Sequence, residues 1–177
     1  MNAKIPKLED LSQESQALYE VLNNESDLAC VLIATSYLDQ TLASLLERYF
    51  VEGNTSQRLL DPRGGVLGTF ASRADLSYCL GLIPKGLYQN LRIVGEIRNR
   101  FAHNYLLLDF NDQDIVDQVG KLSSPRFKEI VSADGKSPFE SITNPRDRFN
   151  VVTAMMVSRL LLTGLSVERR TRKLKGW

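Results

Sequence analysis

Apolar residues recur along this chain every three or four positions, the period of α-helices that turn one face inward. Leu8, Leu11, Ser15, Leu18, Tyr19 and Leu22 form the first such stripe. A second and longer one runs over residues 25–50 through Leu28, Leu32, Leu38, Leu42, Leu45, Leu46 and Tyr49, with Asn24 or Ser26 available as its N-cap. Within it, Cys30 to Thr35 is apolar nearly all round, so this helix is expected at the centre with neighbours on several sides.

Residues 51–68 carry Gly53, Pro62, Gly64, Gly65 and Gly68 and read as a loop. No Gly-Lys-Ser/Thr closes them, which excludes a Walker phosphate loop. A short third helix is predicted through "SRADLSYCL", capped by Ser72 and stopped by Gly81. Pro84 opens a fourth at its first turn, along which Leu87, Leu91, Val94 and Phe101 recur, and this helix ends near His103 and Asn104. A further helix over "NDQDIVDQVGKL" begins with Asn111 as cap and has acids in its first turn, where the helix dipole favours them. Residues 123–145 are broken by Pro125, Gly135 and Pro138 and read mostly as loop with room for one helical turn. Asn144 followed by Pro145 caps the last helix, which carries Phe149, Val152, Met156, Leu160, Thr163 and Val167 on one face. Only "YLLLDF" is ambiguous with a strand. The expected architecture is all-α: one bundle of about five to seven helices over residues 1–168, with residues 169–177 as a basic tail.

Composition changes this picture little. At 177 residues, 43% hydrophobic and 24% charged, the chain suits one globular domain with a true core. Charge is uneven. Five of the 22 basic residues (Arg169, Arg170, Arg172, Lys173, Lys175) lie in the tail with no acid, leaving 17 against 21 acids elsewhere, a net of −4. An acidic body with a basic tail is not the broad basic face of a duplex-DNA binder, and no helix-turn-helix with a basic recognition face is visible. Direct reading of DNA sequence is therefore not expected. Cys30 and Cys79 lie in apolar runs without metal-ligand or redox spacing, so both are expected as buried thiols of a cytoplasmic protein. No signal-peptide core and no membrane-spanning apolar run are expected.

The candidate chemistry sits in "EIRNRFAHNY", which holds the single histidine. If the fourth helix continues through Phe101, Asn99 and His103 are four apart and share a face. Arg98 lies about 140° around from His103 at ~100° per residue, and its long side chain could reach across a fraying last turn. Histidine can act as general acid or base near neutral pH. Arginine can stabilise charge developing on a phosphate, and asparagine can orient either group. This set suits metal-free RNA cleavage in which the RNA's own 2′-hydroxyl attacks, so neither metal nor cofactor is expected. The competing reading is structural: a histidine at a helix C-terminus is favoured by the dipole and can cap free carbonyls.

Two resemblances bear on the choice. "RNRFAH" resembles the signature of the HEPN superfamily, an arginine and a histidine separated by four to six residues, often with a polar residue after the arginine. That resemblance implies a HEPN-like helical bundle and a metal-independent endoribonuclease of toxin–antitoxin or defence systems. Its site would be assembled at a homodimer interface, with Arg98 and His103 catalytic and Asn99 supporting. A longer stretch, about residues 25–104, resembles the mannitol operon repressor-like family through "ESDLACVLIATSYLDQTLASLLERYF", "LLDPRGGVLGTFASRADLSYCLGLI" and "LRIVGEIRNRFAHN". That one implies a helical regulator without a recognisable DNA-binding motif, working through protein partners. The chain is thus expected to be a homodimeric endoribonuclease acting on RNA and held by an antitoxin, or alternatively a non-catalytic regulator with a protein partner. Three further polar residues are candidates. Arg73 could bind phosphate or pair with Asp75 to hold the third helix. Asp39, inside an apolar stretch, could pair with an arginine such as Arg98 or tune His103.

Overall fold

The computed structural model describes residues 8–104, 108–123 and 142–168. Seven helices carry them: α1 (Leu8–Asn24), α2 (Asp27–Tyr49), α3 (Asn54–Leu60), α4 (Phe70–Cys79), α5 (Lys85–His103), α6 (Gln113–Gly120) and α7 (Pro145–Ser166). Among the described residues there is no strand, and the helices form one domain of the predicted class.

Helix α2 is the axis because its sequence is apolar on more than one side. It packs against α1, α3, α4, α5 and α7. Cys30, Val31, Ala34, Leu38, Leu42, Leu45 and Leu46 are buried along it. Helices α1 and α7 pair and close over it, while α4 and α5 pair with each other and cover it separately. Helix α6 bridges α5 and α7. Near this bridge the rings of Phe101, Phe110 and Phe149 meet in sequence, with centroids 5.7 and 5.3 Å apart. Burying one such side chain fully stabilises the fold by about 1.5–3 kcal/mol. The apolar length of α2 and α7 also means that each, by length and composition alone, could cross a membrane, contrary to expectation. Both instead turn apolar faces onto neighbouring helices, as central bundle helices do.

Local chemistry sets the helix ends. Ser26 accepts from the Ala29 amide at 3.3 Å and starts α2. Asn144 accepts from the Asp147 amide at 3.1 Å, with Pro145 opening α7 as predicted. Two caps differ from the sequence reading. Helix α4 begins at Phe70 under Thr69, and Ser72 is the third helical residue of a reciprocal capping box. Helix α6 is preceded by Asp112 at the cap position, not by Asn111. The stretch read as loop contains α3, which buries none of its residues and so leaves no apolar stripe to detect. Cys30 is buried but Cys79 is exposed, because α4 ends on the surface rather than in the core. Tyr105, Leu106 and Leu107 of the ambiguous run, residues 124–141 of the stretch expected to hold one helical turn, and the basic tail lie outside the described residues.

One node joins distant segments. Arg146 at the start of α7 reaches Asp27 at 2.7 Å and the carbonyls of Leu22, Asn23 and Glu25. Asp27 also accepts the Phe110 amide at 3.0 Å. The α1–α2 turn is thereby tied to the chain on either side of α6.

Candidate functional site

Helix α5 presents the candidate motif on its outer surface. Its inward face is Leu87, Leu91, Val94, Ile97 and Phe101, so Arg98, Asn99 and His103 fall on exposed positions. Arg98 Nη1 donates to Asn99 Oδ1 at 3.1 Å. The helix is closed by Asn104, whose backbone amide and side chain both donate to the Arg100 carbonyl. His103 is therefore not the group that caps α5, and no partner contacts its imidazole among the described residues. Helix geometry separates Arg98 from His103 by about 140° around the axis and ~7.5 Å along it. Between them, Arg100 is turned to Asp114 of α6 at 2.7 Å, anchoring the helix end.

A cleft of about 530 Å³ opens between α2, α4 and α5. Leu32, Phe70, Ala74 and Leu91 give it apolar walls. Asp39, Arg92, Glu96, Arg98 and Asn99 supply its polar lining. His103 is not part of it. The structure thus brings Arg98, Asn99 and Asp39 to one cleft and leaves His103 a turn beyond. Gly95 shapes the wall: a Cβ there would stand 3.3 Å from the Phe70 ring, so the missing side chain lets that ring lie against α5. Thr69, Phe70, Arg92, Gly95 and Glu96 were not singled out from the sequence. A glycine inside a strong helical pattern was the one available sign of such close approach.

The supporting carboxylates are paired differently from expectation. Arg73 is buried, and its Nη1 lies 2.6 Å from Asp39 Oδ1. Its Nε and Nη2 donate to the carbonyls of Leu67 and Leu60 at 2.8 and 2.9 Å. Among the described residues Asp39 Oδ1 has no well-aligned hydrogen bond, so this charge contact is the compensation it receives there. Arg73 is thereby committed to the interior and is not placed to meet a phosphate. Asp39 pairs with Arg73, not with Arg98, because α2 lies directly against α4. Asp75 faces the other way. It accepts from the Tyr88 hydroxyl at 2.9 Å and lies 3.6 Å from Arg92. That hydrogen bond is the first cause of a raised Tyr88 pKa, and Tyr88 stacks on Tyr78 at 4.6 Å. Among the described residues no group of three or more His, Cys, Asp or Glu side chains is arranged to hold a metal ion.

Chemically, the cleft can bind: it offers apolar wall, two arginines, one of them paired with an asparagine, and two carboxylates. It does not place the imidazole of His103 beside Arg98. A general acid or base must come within hydrogen-bond reach of the proton it moves.

The sequence model of a family described as mannitol repressor matches residues 14–165. Among solved structures, a chain from the X-ray structure of the MtlR–HPr complex of Escherichia coli shares the fold, with a TM-score of 0.63 at 20% identity. The alignment covers 82% of this chain and 97% of that one. No curated protein matches the sequence significantly. Neither match bears on the HEPN resemblance. The family match spans helices on both sides of the cleft and runs nearly from end to end of the bundle: the chain belongs to the mannitol repressor family.

Proposed function

We propose that this protein is a non-catalytic regulator of the mannitol-repressor type, working in the cytoplasm through a protein partner, HPr or a protein like it. The partner is received at the cleft between α2, α4 and α5. The observation that carries this reading is the division of the motif. Arg98 and Asn99 line the cleft, whereas His103 stands outside it. Apolar walls beside exposed arginine suit a protein contact, since arginine and buried apolar anchors dominate such interfaces. The likeness to a chain solved with HPr supports the choice of partner.

The ribonuclease reading keeps one observation in its favour: Arg98 and His103 are both exposed, so a second copy of the chain could bring a histidine to the arginine of the first. One experiment separates the two. Full-length protein is titrated with purified HPr by calorimetry and, in parallel, incubated with RNA in EDTA. The regulator reading expects saturable HPr binding weakened by Arg98→Ala and untouched by His103→Ala, no RNA cleavage, and altered transcription of the mannitol operon on gene deletion. RNA cleavage lost in both variants, together with no HPr binding, overturns it in favour of a homodimeric endoribonuclease.

A further inference from the structure

The loop from Asp61 to Gly68 adds nothing to the buried core, yet it is held in one shape from several directions. Gly65 donates to the Asp61 carbonyl at 2.8 Å, Leu67 to that of Leu59 at 2.9 Å, and Gly68 to that of Gly65 at 2.9 Å. The Arg63 amide donates to Asp61 Oδ1 at 2.9 Å, which fixes the start of the turn. Two glycines make the turn possible by close approach. A Cβ on Gly65 would fall 2.6 Å from the Arg58 carbonyl and nearer still to that of Leu59, and one on Gly68 would fall 2.6 Å from the Asp61 carbonyl. From beneath, buried Arg73 grips the loop at both ends through Leu60 and Leu67 while paired with Asp39.

What this scaffold displays is unusual for the molecule. Val66 is 74% exposed, the most exposed large hydrophobic residue among those described. Beside it the Arg63 side chain is 94% exposed, and Arg58 is exposed as well. From residue 53 to 68 the charged side chains are Arg58, Asp61 and Arg63, a net of +1; the exposed Asp61 carboxylate lies 4.0 Å from Arg63 and offsets part of its charge, leaving the outward face positive on balance. The loop runs directly into Gly68, Thr69 and Phe70, which line the cleft. An apolar tip on a prefixed loop loses little conformational freedom on binding, which is the advantage of preorganisation.

We infer that this loop is a preformed docking knuckle, contacting a protein partner whose surface offers an apolar socket for Val66 with carboxylates at its rim for Arg63 and Arg58. The inference rests on the protein-partner reading above and assigns that partner a second contact beside the cleft. The test titrates full-length wild type, Val66→Ser, Arg63→Glu and Val21→Ser with purified HPr. Val21 is a 43% exposed valine on α1 and serves as the matched control. The knuckle predicts that Val66→Ser and Arg63→Glu each weaken binding by about tenfold or more, as truncation of an interface anchor does, with thermal stability and the Val21→Ser affinity unchanged. Wild-type binding with both knuckle variants unaffected overturns the knuckle and spares the partner reading. No wild-type binding to HPr overturns both. A single-stranded RNA probe forms the last arm: RNA binding abolished by Arg63→Glu, with HPr binding unaltered, overturns the assignment to a protein.

Discussion

Removing Arg73 tests whether the cleft floor and the knuckle are held by one ion pair. Arg73→Ala strands the Asp39 carboxylate, whose Oδ1 has no other partner among the described residues, and frees the carbonyls of Leu60 and Leu67. Breaking a buried pair from one side costs about 3–5 kcal/mol. The Asp39 side chain is 29% exposed, so water can reach part of the stranded charge. That relief places the loss at the lower end, about 3 kcal/mol, which for a chain of this size lowers Tm by roughly 6–12 °C. Arg73→Lys keeps the charge but cannot serve a carboxylate and two carbonyls at once, so about 1–2 kcal/mol is expected. The assay is urea unfolding followed by far-ultraviolet circular dichroism, with Asp39→Ala and the double variant completing a cycle. The two residues should couple by more than about 1 kcal/mol. A loss below about 1 kcal/mol for Arg73→Ala, with no coupling to Asp39, refutes the reasoning.

Further outcomes follow from burial and capping. Phe101 is fully buried and its ring meets Phe110, so Phe101→Ala should cost about 3–5 kcal/mol in the same unfolding assay. Ellman's reagent should titrate exposed Cys79 rapidly in the native protein and Cys30 only after denaturation. Burial pushes the Cys30 thiol from 9.0 up to about 12. The folded state therefore keeps a proton that the unfolded state releases. The stabilisation is full below pH ~9 and is lost as pH rises toward 12, so Cys30→Ser should flatten that part of the stability profile. Asn144→Ala removes the cap of α7 and should cost about 1 kcal/mol, and Asn144→Asp should restore most of it.

The helices were legible in the sequence because burying one face imposes a period on the residues themselves. That covers α1, α2, α5 and α7, and the caps Ser26 and Asn144 were local enough to read as well. Helix α3 escaped because it buries nothing and therefore writes no stripe. At α4, Thr69 and Ser72 both carry cap-forming hydroxyls and engage each other, so chemistry alone did not say which comes first. The angular separation of Arg98 and His103 could be computed from residue spacing, but the group that closes α5 could not. Asn104 and His103 are adjacent, and only the terminal backbone turn selects between them. What tertiary structure alone decided was pairing. Arg73 stands two residues from Asp75 in sequence, yet its charge is met by Asp39, thirty-four positions earlier, because α2 packs on α4 and Asp75 points outward to Tyr88 and Arg92. The cleft is of the same kind. Its walls come from three helices, and a cavity exists only in the space left where separately patterned faces meet, a quantity no single stretch of sequence carries.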